Sequence, residues 1–81
     1  MDMDKLTDLI GARKRLCAVQ EELINPETYI TVTRKYQHSF HYTSTFLEDE
    51  LSAKLKQEAQ VYYQKKIEEL NKEIEQLCQE Q

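Results

Sequence analysis

Two histidines and two cysteines are the side chains whose chemistry would suit a metal ion. His38 and His41 lie three residues apart, and Cys17 and Cys78 are distant from them in the sequence. Two histidines three apart across a turn and strand do not converge as helical ligands four residues apart do, and no acidic residue lies close by to complete a ligand set. We therefore expect no metal site and no cofactor, and we expect the histidines to be exposed hairpin residues.

Catalysis would require a nucleophile beside a base, or paired carboxylates in a cleft. Both cysteines fall among apolar residues of helical patterns, where a thiol behaves as a small hydrophobic group. The acidic residues follow helix surfaces, and a chain of 81 residues has little room for a pocket. The sequence predicts no catalytic residue and a protein that is not an enzyme.

A stretch of basic and aromatic residues between positions 28 and 47 is the candidate binding surface. It contains no carboxylate, although the formal net charge of the chain is −4. A protein partner or an anionic ligand would be sought there, whereas the acidic total argues against nucleic acid. The candidate contact residues are Arg34, Lys35, Tyr36, His38 and His41.

A second basic cluster, residues 13–15, lies in the first predicted helix. The two clusters would join into one positive patch if this helix docked beside the hairpin. The alternative, which we favour, is that both are ordinary solvated charges that balance an acidic long helix.

Hydrophobic periodicity predicts a first helix over residues 4–24, with Asp4 as its N-cap. Pro26 ends it, because proline disfavours helical geometry at Asn25. The apolar positions cover about half of the helix circumference, so this helix should touch more than one neighbour.

The pattern then changes to β-branched and aromatic residues, which predict an antiparallel β-hairpin over residues 28–44. We place the first strand at 29–36, the turn around 37–39 and the second strand from Phe40 to about Ser44. A two-stranded hairpin is marginal alone. We expect a helix to cover one side and a hairpin of another subunit to pair with an open edge.

Residues 46–81 contain no glycine or proline and predict one long helix of roughly 50 Å. Thr45 and Glu48 have the spacing of a capping box, which places the helix start near Phe46. We expect the half before Tyr62 to pack on the hairpin and first helix. Residues 63–81 have coiled-coil spacing and would pack on another chain or on the first helix. The predicted oligomerisation residues are Tyr63, Ile67, Leu70, Ile74 and Leu77.

These patterns predict one α+β domain over residues 1–81, ordered α-β-β-α, with a coiled-coil-like tail and an oligomeric state of two or more. The functional prediction is a non-enzymatic protein–protein interaction module. The alternative is an oligomeric binder of an anionic small ligand such as a nucleotide. The acidic start and the absence of an apolar run of roughly 20 residues predict a cytoplasmic protein without membrane association.

A short helix, a Thr/Tyr/His hairpin and the segment FLEDELSAKLKQEAQVYYQKKIEELNKEIEQL follow one another in this chain. This layout resembles that of small proteins encoded by phages and prophages. The resemblance implies an accessory role in the host cytoplasm, for example as an inhibitor of a host or defence protein. It implies no particular site residues.

Overall fold

Two helices and one β-hairpin make up the computed structural model, which describes residues 2–36 and 41–79. The elements are α1 (Met3–Ile24), β1 (Thr31–Lys35), β2 (Tyr42–Phe46) and α2 (Asp49–Gln79). This order confirms the predicted α+β class and the α-β-β-α arrangement. The predicted turn at 37–39, which includes His38, lies outside the described residues, as does Phe40.

The start of α1 differs from the prediction. Asp2, and not Asp4, is the N-cap: its backbone is extended, and its carboxylate accepts a hydrogen bond from the Lys5 backbone N–H at 3.1 Å. An N-cap side chain accepts a hydrogen bond from the backbone amide two or three residues later. Asp2 makes this bond with Lys5, so the helix begins at Met3. The end of α1 at Asn25 is as predicted, with an extended backbone before Pro26.

The boundary between β2 and α2 also differs from the prediction. Thr45 and Phe46 belong to β2, where they lie opposite Val32 and Thr31 of β1, so they form no capping box. The long helix begins at Asp49, after the Glu48 carbonyl accepts a hydrogen bond from the Ser52 N–H at 2.9 Å. A β-branched and an aromatic residue fit a strand pair well, and this pairing prevails over the local capping motif.

The two helices lie antiparallel. Arg13 Nη1 donates to Asn71 Oδ1 at 2.9 Å, and Gln60 Nε2 donates to the Leu23 carbonyl oxygen at 2.9 Å. Early α1 therefore lies beside late α2, and the end of α1 lies beside early α2. Among the described residues, the buried hydrophobic side chains are Leu23, Ile67 and Leu77, all on the line between the helices.

The first half of α2 presents a mixed polar and apolar face to α1, on which Leu55 and Ala59 are half-buried. Leu51 and Tyr62 lie in or next to the half that was expected to pack on the hairpin and the first helix, yet they are 45% and 57% exposed. Ser52 is buried instead, and the Lys56 ammonium donates to the Asn25 carbonyl oxygen at 2.8 Å. Lys56 and Gln60 thus donate to carbonyl groups at the end of α1, which have no partner within their own helix.

The hairpin is not covered by the long helix, contrary to the prediction. Every residue of β1 and β2 is exposed except the half-buried Thr31. The longest dimension of the molecule, 50 Å, is close to the length of about 46 Å that a helix of 31 residues has by itself. The hairpin therefore projects sideways from the helix pair. Within the described residues, neither helix has an apolar segment long enough to cross a bilayer.

Candidate functional site

One face of the hairpin brings together three of the five predicted contact residues. Arg34 and Tyr36 are two residues apart and share this face. The Tyr36 backbone N–H donates to the His41 carbonyl oxygen at 3.4 Å, which continues the register and places His41 opposite Tyr36. Lys35 lies on the other face, opposite Tyr42. His38, the fifth residue, is outside the described part of the chain.

A cation–π contact orders this face. The guanidinium carbon of Arg34 lies 5.1 Å from the centroid of the Tyr36 ring. Such a contact at an exposed site contributes about 0.5–1 kcal/mol and leaves guanidinium N–H groups available to an anion. Within residues 2–36 and 41–79, Lys66 and Glu69 form an ion pair, and no carboxylate pairs with Arg34.

The opposite face of the hairpin carries hydroxyl groups between two aromatic side chains. Thr33 Oγ1 lies 3.1 Å from Ser44 Oγ and 3.2 Å from Thr31 Oγ1. Tyr42 lies at the tip side of this row. Phe46 lies at the base, 72% exposed, with its ring edge-to-face with that of Tyr29 at a centroid distance of 6.1 Å. Phe46 was not among the predicted contact residues because the capping motif at Thr45 assigned it to the helix, although Tyr42 and Phe46 fit one alternating strand pattern.

The backbone at each edge of the hairpin is open. The Tyr36 to His41 hydrogen bond shows that this pair exchanges backbone hydrogen bonds. Hydrogen-bonded and non-hydrogen-bonded pairs alternate along an antiparallel ladder, so Thr33 and Ser44, three positions along, form a non-hydrogen-bonded pair. The backbone groups of Thr33 therefore point away from β2, and those of Ser44 point away from β1.

The two basic clusters do not form one patch. Arg13 is used in the contact with Asn71. The hairpin joins the helix pair at Asp49, and the rise of an α-helix puts Asp49 about 33 Å along α2 from Asn71. The basic cluster at residues 13–15 and the basic residues of the hairpin therefore lie on separate surfaces of the molecule.

The predicted oligomerisation residues lie along the helix pair. Ile67 and Leu77 are buried within the single chain, and Tyr63, Leu70 and Ile74 are half-buried. These five residues form an apolar seam along late α2. Since α1 runs antiparallel beside this part of α2, the seam packs on the first helix of its own chain. Its use between chains remains a prediction.

A cleft of about 410 Å³ lies where α1 ends beside α2. Its lining includes one carboxylate, Asp49, and one ammonium group, Lys56, which already donates to the Asn25 carbonyl oxygen. The thiols are free and apart from this cleft, with Cys17 half-buried and Cys78 exposed. No group of three metal-ligating side chains occurs in the described ranges. The cleft thus provides no nucleophile and base in contact.

Comparisons with protein-family models, with curated proteins and with solved structures found no match for this chain. The uncovered hairpin is the most prominent of the surfaces described above.

Proposed function

We propose that this chain is a non-enzymatic protein–protein interaction module that works as a homo-oligomer, with the hairpin as its contact element. The observation that carries this proposal is the exposure of both hairpin faces. Tyr36 lies on one face, and Tyr42 and Phe46 lie on the other; all three are at least 42% exposed. A two-stranded hairpin is marginal in water, so contact with another polypeptide would stabilise it.

The small core supports self-association. Only Leu23, Ile67 and Leu77 are buried among the described hydrophobic side chains. A core of this size supplies limited stability, and oligomerisation is a common supplement in chains this short. Within residues 2–36 and 41–79, the large apolar side chains that remain exposed are Met3, Ile10, Val19, Ile24, Tyr29, Val32, Tyr36, Tyr42, Phe46, Leu51, Val61 and Tyr62.

An accessory or inhibitory role is the wider proposal that the phage-like layout suggests. The hairpin would then contact a host protein, with its exposed aromatic side chains as anchors, since tyrosine and phenylalanine are enriched in protein interfaces. This wider role uses the same surface as the self-association.

Sedimentation equilibrium over a range of protein concentrations tests the proposal. We expect a mass above the 9.7 kDa of one chain, rising with concentration. Replacing Tyr42 and Phe46 together by serine should shift the protein toward monomer. The control is Tyr62→Ser, which removes an exposed helix tyrosine and should leave the mass unchanged. A wild-type protein that is monomeric at every concentration would refute the proposal.

The second candidate is an oligomeric binder of an anionic small ligand such as a nucleotide. The observation that favours it is the guanidinium of Arg34 held over Tyr36 on a face shared with His41. A bound ligand should raise the melting temperature, because it stabilises the folded state by RT ln(1 + [L]/Kd). Arg34→Ala should abolish the shift, whereas Arg15→Ala, an exposed arginine on α1, should keep it. The absence of a shift with every nucleotide tested would exclude this candidate.

A further inference from the structure

The strand β2 is the uncharged edge of the hairpin. Its sequence, Tyr42–Phe46, contains no charged residue, whereas β1 contains Arg34 and Lys35. Natural edge strands commonly carry lysine or other charges that prevent pairing with another chain. This protection is present on β1 and missing on β2, so β2 is the edge that accepts a further strand.

The backbone of β2 offers a regular set of outward groups. Ser44 belongs to a non-hydrogen-bonded pair of the hairpin ladder. Because hydrogen-bonded and non-hydrogen-bonded pairs alternate, Tyr42 and Phe46 also belong to non-hydrogen-bonded pairs. The N–H and C=O groups of these three residues therefore point away from β1. An added strand would meet all three.

The strand is complementary to itself. When β2 pairs antiparallel with β2 of a second copy about a twofold axis at Ser44, the two Ser44 residues lie opposite each other. Tyr42 then lies opposite Phe46 of the second copy, and each of the three outward residues enters a hydrogen-bonded pair. Directly opposed aromatic side chains on one sheet face attract each other. The pair makes the same contacts twice, as a twofold interface requires.

The charges favour this antiparallel arrangement. It brings the tip of each hairpin to the end of the sheet where the other hairpin joins its helix. The tip carries Arg34 and Lys35, and α2 starts with Asp49 and Glu50 directly after Glu48. Opposite charges thus lie at the same end of the sheet, whereas parallel pairing would bring like charges together.

We infer that two copies of this chain form a continuous four-stranded antiparallel sheet, joined through β2 with Ser44 on the twofold axis. The inference rests on the proposed function and names the partner, the edge and the register. A second copy is the preferred partner of β2, because its Tyr42 and Phe46 face Phe46 and Tyr42 of the first copy and because opposite charges lie at each end of the sheet.

Proline substitutions at two facing positions test which edge is used. Ser44→Pro and Thr33→Pro each remove one outward N–H that the hairpin ladder does not use. Each also removes the contact between these two hydroxyl groups. We expect Ser44→Pro to raise the dimer dissociation constant at least tenfold and Thr33→Pro to change it less than threefold. Helical circular dichroism of each variant checks that the helix pair is folded, and Thr33→Pro, at the facing position, controls for damage within the hairpin itself. Equal effects of the two substitutions would overturn the inference.

Charge substitutions test the axis independently. Ser44→Lys and Ser44→Glu should each be monomeric alone, because like charges face each other across the axis. An equimolar mixture should recover a dimer that contains one copy of each variant. Persistence of a dimer in each variant alone, or no recovery in the mixture, would overturn the register while the wild-type dimer still supports the proposed function. A monomeric wild type would overturn both.

Discussion

The backbone N–H of Ile30 donates to Ser52 Oγ at 3.0 Å, and the Ser52 side chain is almost completely buried. Ile30 directly precedes β1, and Ser52 lies in the first turn of α2. This hydrogen bond therefore attaches the base of the hairpin to the long helix. It holds the start of β1 against the first turn of α2.

Removing this attachment should destabilise the fold. We expect Ser52→Ala to lower the free energy of unfolding by about 1–3 kcal/mol, because it leaves a partly buried N–H without its acceptor. Urea denaturation measures the change. The control is Thr43→Ala, which removes an exposed hydroxyl on the hairpin face that does not carry Ser44 and should cost less than about 0.5 kcal/mol. Equal losses in the two variants would argue against this role of Ser52.

The end of α1 depends on a glutamine of α2. Gln60 Nε2 donates to the Leu23 carbonyl oxygen at 2.9 Å in a partly buried contact. Gln60→Ala should lower the free energy of unfolding by about 0.5–1.5 kcal/mol, since that carbonyl loses its donor. The matched control is Gln64→Ala, one turn later, whose amide contacts exposed Glu68 at 3.3 Å. A larger loss for Gln64→Ala in the same urea titration would contradict this prediction.

The seam on late α2 should support the fold of the single chain. Ile67→Ala should cost about 2 kcal/mol or more, because it removes a buried side chain between the helices. Val61→Ala, at a position 68% exposed, is the control with little expected cost. The double substitution of Leu70 and Ile74 by lysine should abolish helical circular dichroism. A variant that keeps its helicity but loses its oligomeric state would instead assign the seam to contacts between chains.

Arg13 and Asn71 should be energetically coupled. Their hydrogen bond of 2.9 Å is exposed, so a double-mutant cycle with alanine should give a coupling of about 0.5–1.5 kcal/mol. Lys14→Ala provides the control, since exposed Lys14 neighbours Arg13 in the sequence and should show no coupling to Asn71→Ala. Thermal or urea unfolding of the four variants of each cycle gives both values. Equal coupling in the two cycles would contradict a specific contact.

The order of the elements could be predicted because each has its own hydrophobic period. The helical period breaks at Pro26, and the alternation from Tyr29 onward identifies a strand. The boundary at Thr45 was wrong because a local capping motif competes there with a strand pair. The partner in that pair, Val32, lies thirteen residues earlier. Local patterns do not show which of two such interactions prevails.

The contacts between elements were harder to predict. Asn71 flanks the apolar seam, so its spacing gave no sign that the long side chain of Arg13 would reach it. Ser52 and Gln60 were missed because an apolar pattern does not identify polar residues that bond backbone groups. In the candidate site, Arg34 and Tyr36 could be placed on one face by alternation alone. The position of His41 opposite Tyr36 required the strand register.

Residue-resolved amide hydrogen exchange at Ser44 and Thr33 tests the central claim most directly. Both N–H groups point outward from the isolated hairpin, on opposite edges. The account predicts that Ser44 becomes protected as the protein concentration rises into the dimer range, whereas Thr33 continues to exchange rapidly. Exchange at Ser44 that stays as fast as at Thr33 in the fully associated protein would contradict pairing through β2.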